Sequence, residues 1–137
     1  MKNFILSTFI LIFFTASHSA EAHKFNFISG SWEEILSKAE AEDKLIFVDF
    51  KASWCGPCKW MEKNAFNDKN TADFFNENFF YVSVDVDTEM RELVSQVNPR
   101  SVPTLIFFNS KGEIVLKDEG ALGSELLMKM GQKAAGL

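Results

Sequence analysis

Apolar and polar positions change period several times along the chain, and each change marks an element. Phe25-Asn26-Phe27 alternates briefly, as a short edge strand does. Ser31-Trp32-Glu33-Glu34 then has the Ser-x-x-Glu pattern of a capping box, and Trp32, Ile35, Leu36 and Ala39 recur on one helical face, so a helix runs to about Asp43. Leu45 to Lys51 is a nearly unbroken apolar run of strand length. A helix carrying Trp60 and Met61 follows, and Asp68 to Asn78 reads as another, with Ala72, Phe75 and Phe79 turned inward. Phe80 to Val86 alternates and is rich in valine, a second main strand. Glu89 to Val97 is helical and stops at Asn98-Pro99. Thr104 to Asn109 is a strand that Ser110-Lys111-Gly112-Glu113 turns back as Ile114 to Lys117, an antiparallel pair by the shortness of the link. Gly120 and Gly123 mark a loop, after which Ser124 caps a last helix to about Ala135. The order βαβαβαββα predicts an α/β domain, a mixed sheet with helices on its faces, without repeats or a second domain.

The first residues have another character. Lys2 precedes an apolar stretch from Phe4 to Phe14, broken only by Ser7 and Thr8, and small and polar residues follow. A stretch of roughly 11 residues falls short of the 20 or so that a membrane span needs and matches the core of a secretory signal peptide. Residues 1–22 are therefore expected to be a signal and 23–137 the working domain. Ala20-Glu21-Ala22 fits an A-x-A cleavage site, cleavage after Ser19 or Ala20 is the other option, and an uncleaved anchor is the alternative. No cysteine lies nearby to suggest a lipoprotein. Localisation is accordingly expected to be exported, periplasmic if the source is a Gram-negative bacterium and secreted otherwise.

A net charge of −5 with no lysine or arginine cluster speaks against nucleic acid and anionic membrane surfaces as partners. The chain has two cysteines, Cys55 and Cys58, both in Trp54-Cys55-Gly56-Pro57-Cys58-Lys59. Thiols at that spacing close a small ring, open it, and pass two electrons to another disulfide. An exported protein with one close pair, in place of several spread ones, uses the pair more readily than it is held together by it. The motif lies where a strand ends and a helix begins, and a helix N-terminus stabilises a thiolate at Cys55. Cys55, at the exposed mouth of the helix, is then the attacking thiolate, and Cys58, one turn in, resolves the mixed disulfide. A structural disulfide and a zinc site are the alternatives. Zinc wants about four ligands, and the histidines are His18, in the signal, and His23, near the mature N-terminus. No further histidine exists to build a Cys-His hydrolase.

Asp49 interrupts the apolar strand on the face of Leu45 and Phe47. Buried there, its pKa rises and it can exchange a proton with Cys58; at a strand end in contact with water it would do neither. Pro103 cannot donate to a sheet ladder and belongs at the start of its strand, with a trans or a cis bond to Val102. Trp54 reads as contact surface over the site, and Trp60 as contact surface or core. Asp85-Val86-Asp87-Thr88-Glu89 resembles a calcium loop, but Met90 and Gln96 stand where glycine and glutamate are required, so it reads as a solvated strand end. Phe74-Phe75 and Phe79-Phe80 read as core.

Val48-Asp49-Phe50 ahead of the cysteines, the Trp54 to Lys59 motif, Ser101-Val102-Pro103-Thr104 before an apolar strand, and Gly120-Ala121-Leu122 together resemble the thioredoxin superfamily. Trp60-Met61-Glu62-Lys63 with Phe66 looks closest to exported thioredoxin-like proteins and to the C-terminal periplasmic domain of the disulfide interchange protein DsbD. The resemblance implies a thioredoxin fold, the same division of labour between Cys55 and Cys58, and a proton-transfer role for Asp49. It also implies a cis Pro103 beside the pair, with the Val102 backbone, Trp54, Gly56 and Pro57 meeting an extended substrate. Where many thioredoxins carry a lysine near that aspartate, this chain has Ser83, and without that charge the acid stays protonated more readily.

The expected function is an exported protein-disulfide reductase or interchange protein acting on other exported proteins. An oxidase or isomerase and a non-catalytic binding or chaperone module are the rival classes. No organic cofactor or metal is called for. A reductase outside the cytosol needs electrons from across a membrane, so an integral membrane donor is the expected partner.

Overall fold

The computed structural model describes residues 24–137. The expected signal segment, its candidate cleavage positions and both histidines lie outside the described residues. In chain order the elements are α1 (Trp32–Glu42), β1 (Leu45–Lys51), α2 (Gly56–Lys63), a 3-10 turn (Ala65–Asn67), α3 (Lys69–Asn78), β2 (Phe79–Asp85), α4 (Arg91–Val97), β3 (Thr104–Phe108), β4 (Ile114–Glu119) and α5 (Ser124–Ala135). The sheet order is β2-β1-β3-β4, with β1 parallel to β2 and antiparallel to β3, and β3 antiparallel to β4. It is the mixed sheet expected from the sequence.

The period-two alternation of β1 divides its side chains between two cores. Phe47, with Leu105 and Phe107 of β3, packs under α2, the 3-10 turn, α3 and α5 through Met61, Phe66, Phe75 and Leu127. Ile46, Val48 and Phe50 face the other way, toward Ile35 and Ala39 of α1 and Leu93 of α4. Helices thus cover both faces, and the central strand is buried on each side. Phe75 and Phe79 are buried in the first core with Phe74 packed against it, and Phe80 belongs to the second.

Several boundaries differ from those the sequence pattern predicts. Phe25-Asn26-Phe27 contributes a single bridge, Phe27 to Tyr81, because Phe25 turns into the core and Asn76 takes the backbone instead: its Oδ1 accepts from Asn26 N at 2.6 Å, and its Nδ2 donates to Lys24 O at 2.9 Å. Strand β2 begins one residue early, where Phe79 registers with Leu45. Helix α4 starts late because Glu89 folds back to accept from Asp85 N at 2.8 Å and Met90 adopts a left-handed φ of 39°. Strand β4 runs on to Glu119, which pairs with Thr104. Gly123, not Ser124, is the N-cap of α5, so Ser124 is the first helical residue and no side chain caps that helix. The capping box at Ser31 and Glu34 forms as expected.

Candidate active site

Ala52 O accepts from Cys55 N at 3.1 Å, which turns the chain off β1 and sets Cys55 as the N-cap of α2. Pro57 fits the first turn of that helix, where a missing N–H goes unused. Cys55 and Cys58 form a disulfide with a Cα to Cα distance of 5.3 Å. The N–H of Cys58 donates to Cys55 Sγ at 3.1 Å. When the pair is reduced, the same N–H faces an anion, and a hydrogen bond to an ionised acceptor is roughly twice as strong as a neutral one. Position therefore supports the expectation that Cys55 is the nucleophile.

Exposure does not. Cys55 is 2% exposed and Cys58 3%, because Ala52, Val86 and Val102 pack around both. The mouth of the helix is narrower than the sequence suggested. Trp54 is the open side of the site at 69% exposure, and its Nε1 donates to Asp87 Oδ2 at 3.0 Å. Trp60 is 48% exposed on the flank of α2 and is not core.

The Val102–Pro103 peptide is cis, and Val102 packs with the cysteines. Pro103 O accepts from Gly120 N at 2.8 Å, and Met61 Sδ accepts from Leu122 N at 3.4 Å, so the Gly120-Ala121-Leu122 loop is tied both to the proline and to the helix of the cysteines. Gly120 has a φ of +99°, which a side chain would oppose. Trp54, Gly56, Pro57, Val102 and Pro103 remain the residues expected to meet a substrate.

Asp49 is 2% exposed, on the sheet face that α2 covers, in register with Ser83 on one side and Leu105 on the other. Burial pushes its pKa up to about 7; the Lys51 ammonium pulls against that rise, the Glu62 carboxylate adds to it, and the Tyr81 hydroxyl opposes it through a hydrogen-bonding contribution. Oδ1 of Asp49 and Oγ of Ser83 are buried without a hydrogen-bond partner. The water-contact alternative for Asp49 therefore gives way to the buried acid. Ser83 stands opposite it as expected, but a positive charge is nearby: Lys51, whose Nζ donates to Glu62 Oε1 at 2.6 Å. Burial works against the Lys51 charge, yet the hydrogen bond and charge of Glu62 outweigh it and raise its pKa.

Sequence reasoning alone does not single out Lys51, Glu62 or Tyr81. Signals for two of them are present. Lys51 is two residues beyond Asp49 and shares its strand face, while Glu62 is four beyond Cys58 and shares its helix face. Nothing local connects Trp54 to Asp87, 33 residues away.

Residues 26–110 match the family model described as Thioredoxin-like. Thioredoxin H4 of Arabidopsis thaliana is 37% identical over 99 residues, covering 72% of this chain and 79% of that protein. Thioredoxin H2 of the same plant is 32% identical over 121 residues, 88% of this chain and 86% of its own. Among solved structures, one from Bacteroides thetaiotaomicron described as "a putative disulphide-isomerase" superimposes with a TM-score of 0.73 at 40% identity, covering 84% of this chain and 96% of that one. A thioredoxin from Thermus thermophilus gives 0.66 at 25% identity, over 75% and 82% of the two chains. With these similarities joined to the cysteine pair at the head of α2, the chain belongs to the thioredoxin-like family, as a disulfide oxidoreductase.

Proposed function

We propose that this chain is an exported protein-disulfide reductase or interchange protein, whose Cys55–Cys58 dithiol reduces disulfides of other exported proteins. The observation that carries the proposal is the N-cap position of Cys55, held by the Cys58 N–H. Cys55 thiolate attacks one sulfur of the client disulfide, and one client sulfur leaves as a thiolate. Asp49 takes the proton of Cys58, whose thiolate then attacks Cys55 Sγ, releases the second client thiolate and leaves the disulfide found here. Two electrons pass to the client, and the protein is oxidised. Gly56 and Pro57 add no charge near Cys55, which favours a moderately stabilised thiolate and hence donation.

Export rests on the signal-like residues 1–22, and a membrane electron donor follows from it as the partner that re-reduces the pair. Trp54, Val102 and Pro103 supply the contact surface for an extended client segment. A second reading, disulfide isomerase, is favoured by the 40% identity to the "putative disulphide-isomerase" of Bacteroides thetaiotaomicron. Isomerisation uses the same Cys55 attack but needs no net electron transfer.

Insulin reduction by the purified protein tests the activity. Cys55→Ser is expected to abolish it, and Cys58→Ser to accumulate mixed disulfides through Cys55 that identify the clients in the exporting cell. The reverse behaviour of the two variants would overturn the assignment, and rearrangement of scrambled disulfides without insulin reduction would favour the isomerase. Mass measurement of the mature protein from culture tests the export signal.

A further inference from the structure

A cavity of about 640 Å³ opens at the side of the sheet, lined in part by Lys51, Glu62, Tyr81 and Ser83. Neither cysteine borders it. Its wall includes β2, an edge strand, and directly behind Ser83 in the register stands Asp49. Tyr81 lies two residues before Ser83 on the same strand face and lines the cavity with it, and burial, then the charge of Asp49, pushes the pKa of its hydroxyl up. Asp49 Oδ1 and Ser83 Oγ are the buried side-chain oxygens left without a partner among the described residues. Orphaned oxygens of this kind need an explanation, and exchange with water is the simplest.

A carboxyl that gains and loses a proton in each cycle must reach water, and the other directions from Asp49 are apolar. Toward β3 it meets Leu105, which is fully buried, and the cysteine end is packed by Ala52, Val86 and Val102. The charged groups around it are Lys51 from β1 and Glu62 from α2, joined to each other, with Glu89 from the loop before α4 acting on Lys51. They border the same cavity.

We propose that the proton Asp49 takes from Cys58 leaves laterally, over the Tyr81 and Ser83 hydroxyls into this cavity, with Tyr81 and Ser83 as positioning residues. The inference rests on the reading of Cys55–Cys58 as an electron-donating dithiol. In the step, the Cys58 S–H bond breaks and the proton joins the Asp49 carboxylate. The Cys58 thiolate closes the disulfide with Cys55, and the client thiolate departs. Asp49 then passes its proton through the hydroxyls, each of which accepts one proton and gives one up, to water or buffer base in the cavity. The hydroxyls end unchanged and no further oxidant or reductant is used.

The test is rapid-mixing kinetics of the full chain against a client disulfide, separating attack by Cys55 from resolution by Cys58, in weak buffer and with added imidazole. Tyr81→Phe combined with Ser83→Ala is expected to slow resolution by about tenfold in weak buffer, less than the hundredfold or greater loss typical of removing a general base itself. Attack should be unchanged, and imidazole, a small proton carrier, should restore resolution. Ser83→Thr, which keeps the hydroxyl, should resolve at the parent rate. Unaltered resolution in the double variant, or a slowing that imidazole does not relieve, overturns the lateral route. Should the double variant fail to fold, Ser83→Ala alone decides by the same imidazole dependence, with about a threefold slowing expected from the loss of one relay hydroxyl. Absence of both steps in the parent protein would overturn the dithiol reading itself, and the route with it.

Discussion

Asp49→Asn should stabilise the oxidised protein, and increasingly so as pH rises. Asp49 is 2% exposed and its pKa is raised from the ordinary 3.8 to about 7, chiefly by burial. Between those two values the folded state holds a proton that the unfolded chain has lost, so stability falls with rising pH across that window. It is greatest below about 3.8 and reaches its floor above about 7. At about 1.4 kcal/mol per pH unit, the span from 3.8 to about 7 amounts to about 4 kcal/mol. Asparagine has nearly the shape of the protonated acid and never ionises. The two proteins should therefore agree within about 1 kcal/mol at pH 4, the worth of one altered hydrogen bond. At pH 8 the variant should be the more stable by about 4 kcal/mol, a large share of the 5–15 kcal/mol typical of a domain. Urea titrations of both oxidised proteins at intervals from pH 4 to pH 8 measure the difference, in which other titrating groups cancel. Parallel curves, or a gap that widens toward low pH, would refute the reasoning.

Other outcomes follow from the same contacts. Glu62→Gln removes a carboxylate that raises the Asp49 pKa and leaves Lys51 unopposed, so the pH-dependent loss of stability should shift below pH 7; an upward shift would contradict the assignment of charges. Gly131→Ala should destabilise the fold by about 1–2 kcal/mol in thermal or urea unfolding, since overpacking costs about 1–3 kcal/mol and alanine returns up to about 1 in helix propensity. The added Cβ would sit 2.8 Å from Phe75 Cζ and 3.0 Å from Phe74 Cε1. In the insulin assay, Cys58→Ser should trap clients and Cys55→Ser should not, read on non-reducing gels.

The central features of this fold and site are legible in the sequence because they follow local rules. The Ser31 capping box, the apolar run of β1 and the strand-to-helix position of the cysteines each depend on residues within a few places of one another. Asp49 stands out as the one acid in an apolar strand, and burial acts on it as expected. What is illegible depends on tertiary neighbours. The first strand dissolves because Asn76, far along the chain, captures the backbone around Lys24 and Asn26. Helix α4 loses its first residues because Glu89 closes a loop on Asp85. Cys55 is covered because Val86 and Val102 arrive from two later loops. Lys51, Glu62 and Tyr81 converge on Asp49 from three elements, and the resemblance to thioredoxins draws notice there to Ser83 alone.

Electron donation through Cys55 and Cys58 is the central claim, and the equilibrium potential of that pair tests it most directly. No histidine lies among the described residues, and Gly56 and Pro57 carry no charge, so the Cys55 thiolate is stabilised by the helix N-terminus and the Cys58 N–H. Such moderate stabilisation predicts a potential near that of thioredoxin, about −270 mV, when the purified protein is equilibrated with dithiothreitol or glutathione buffers. For this two-electron couple about 30 mV is a tenfold change in equilibrium, so the measurement separates the alternatives cleanly. A value near about −120 mV, typical of a strong disulfide oxidant, would contradict donation and mark the pair as an acceptor.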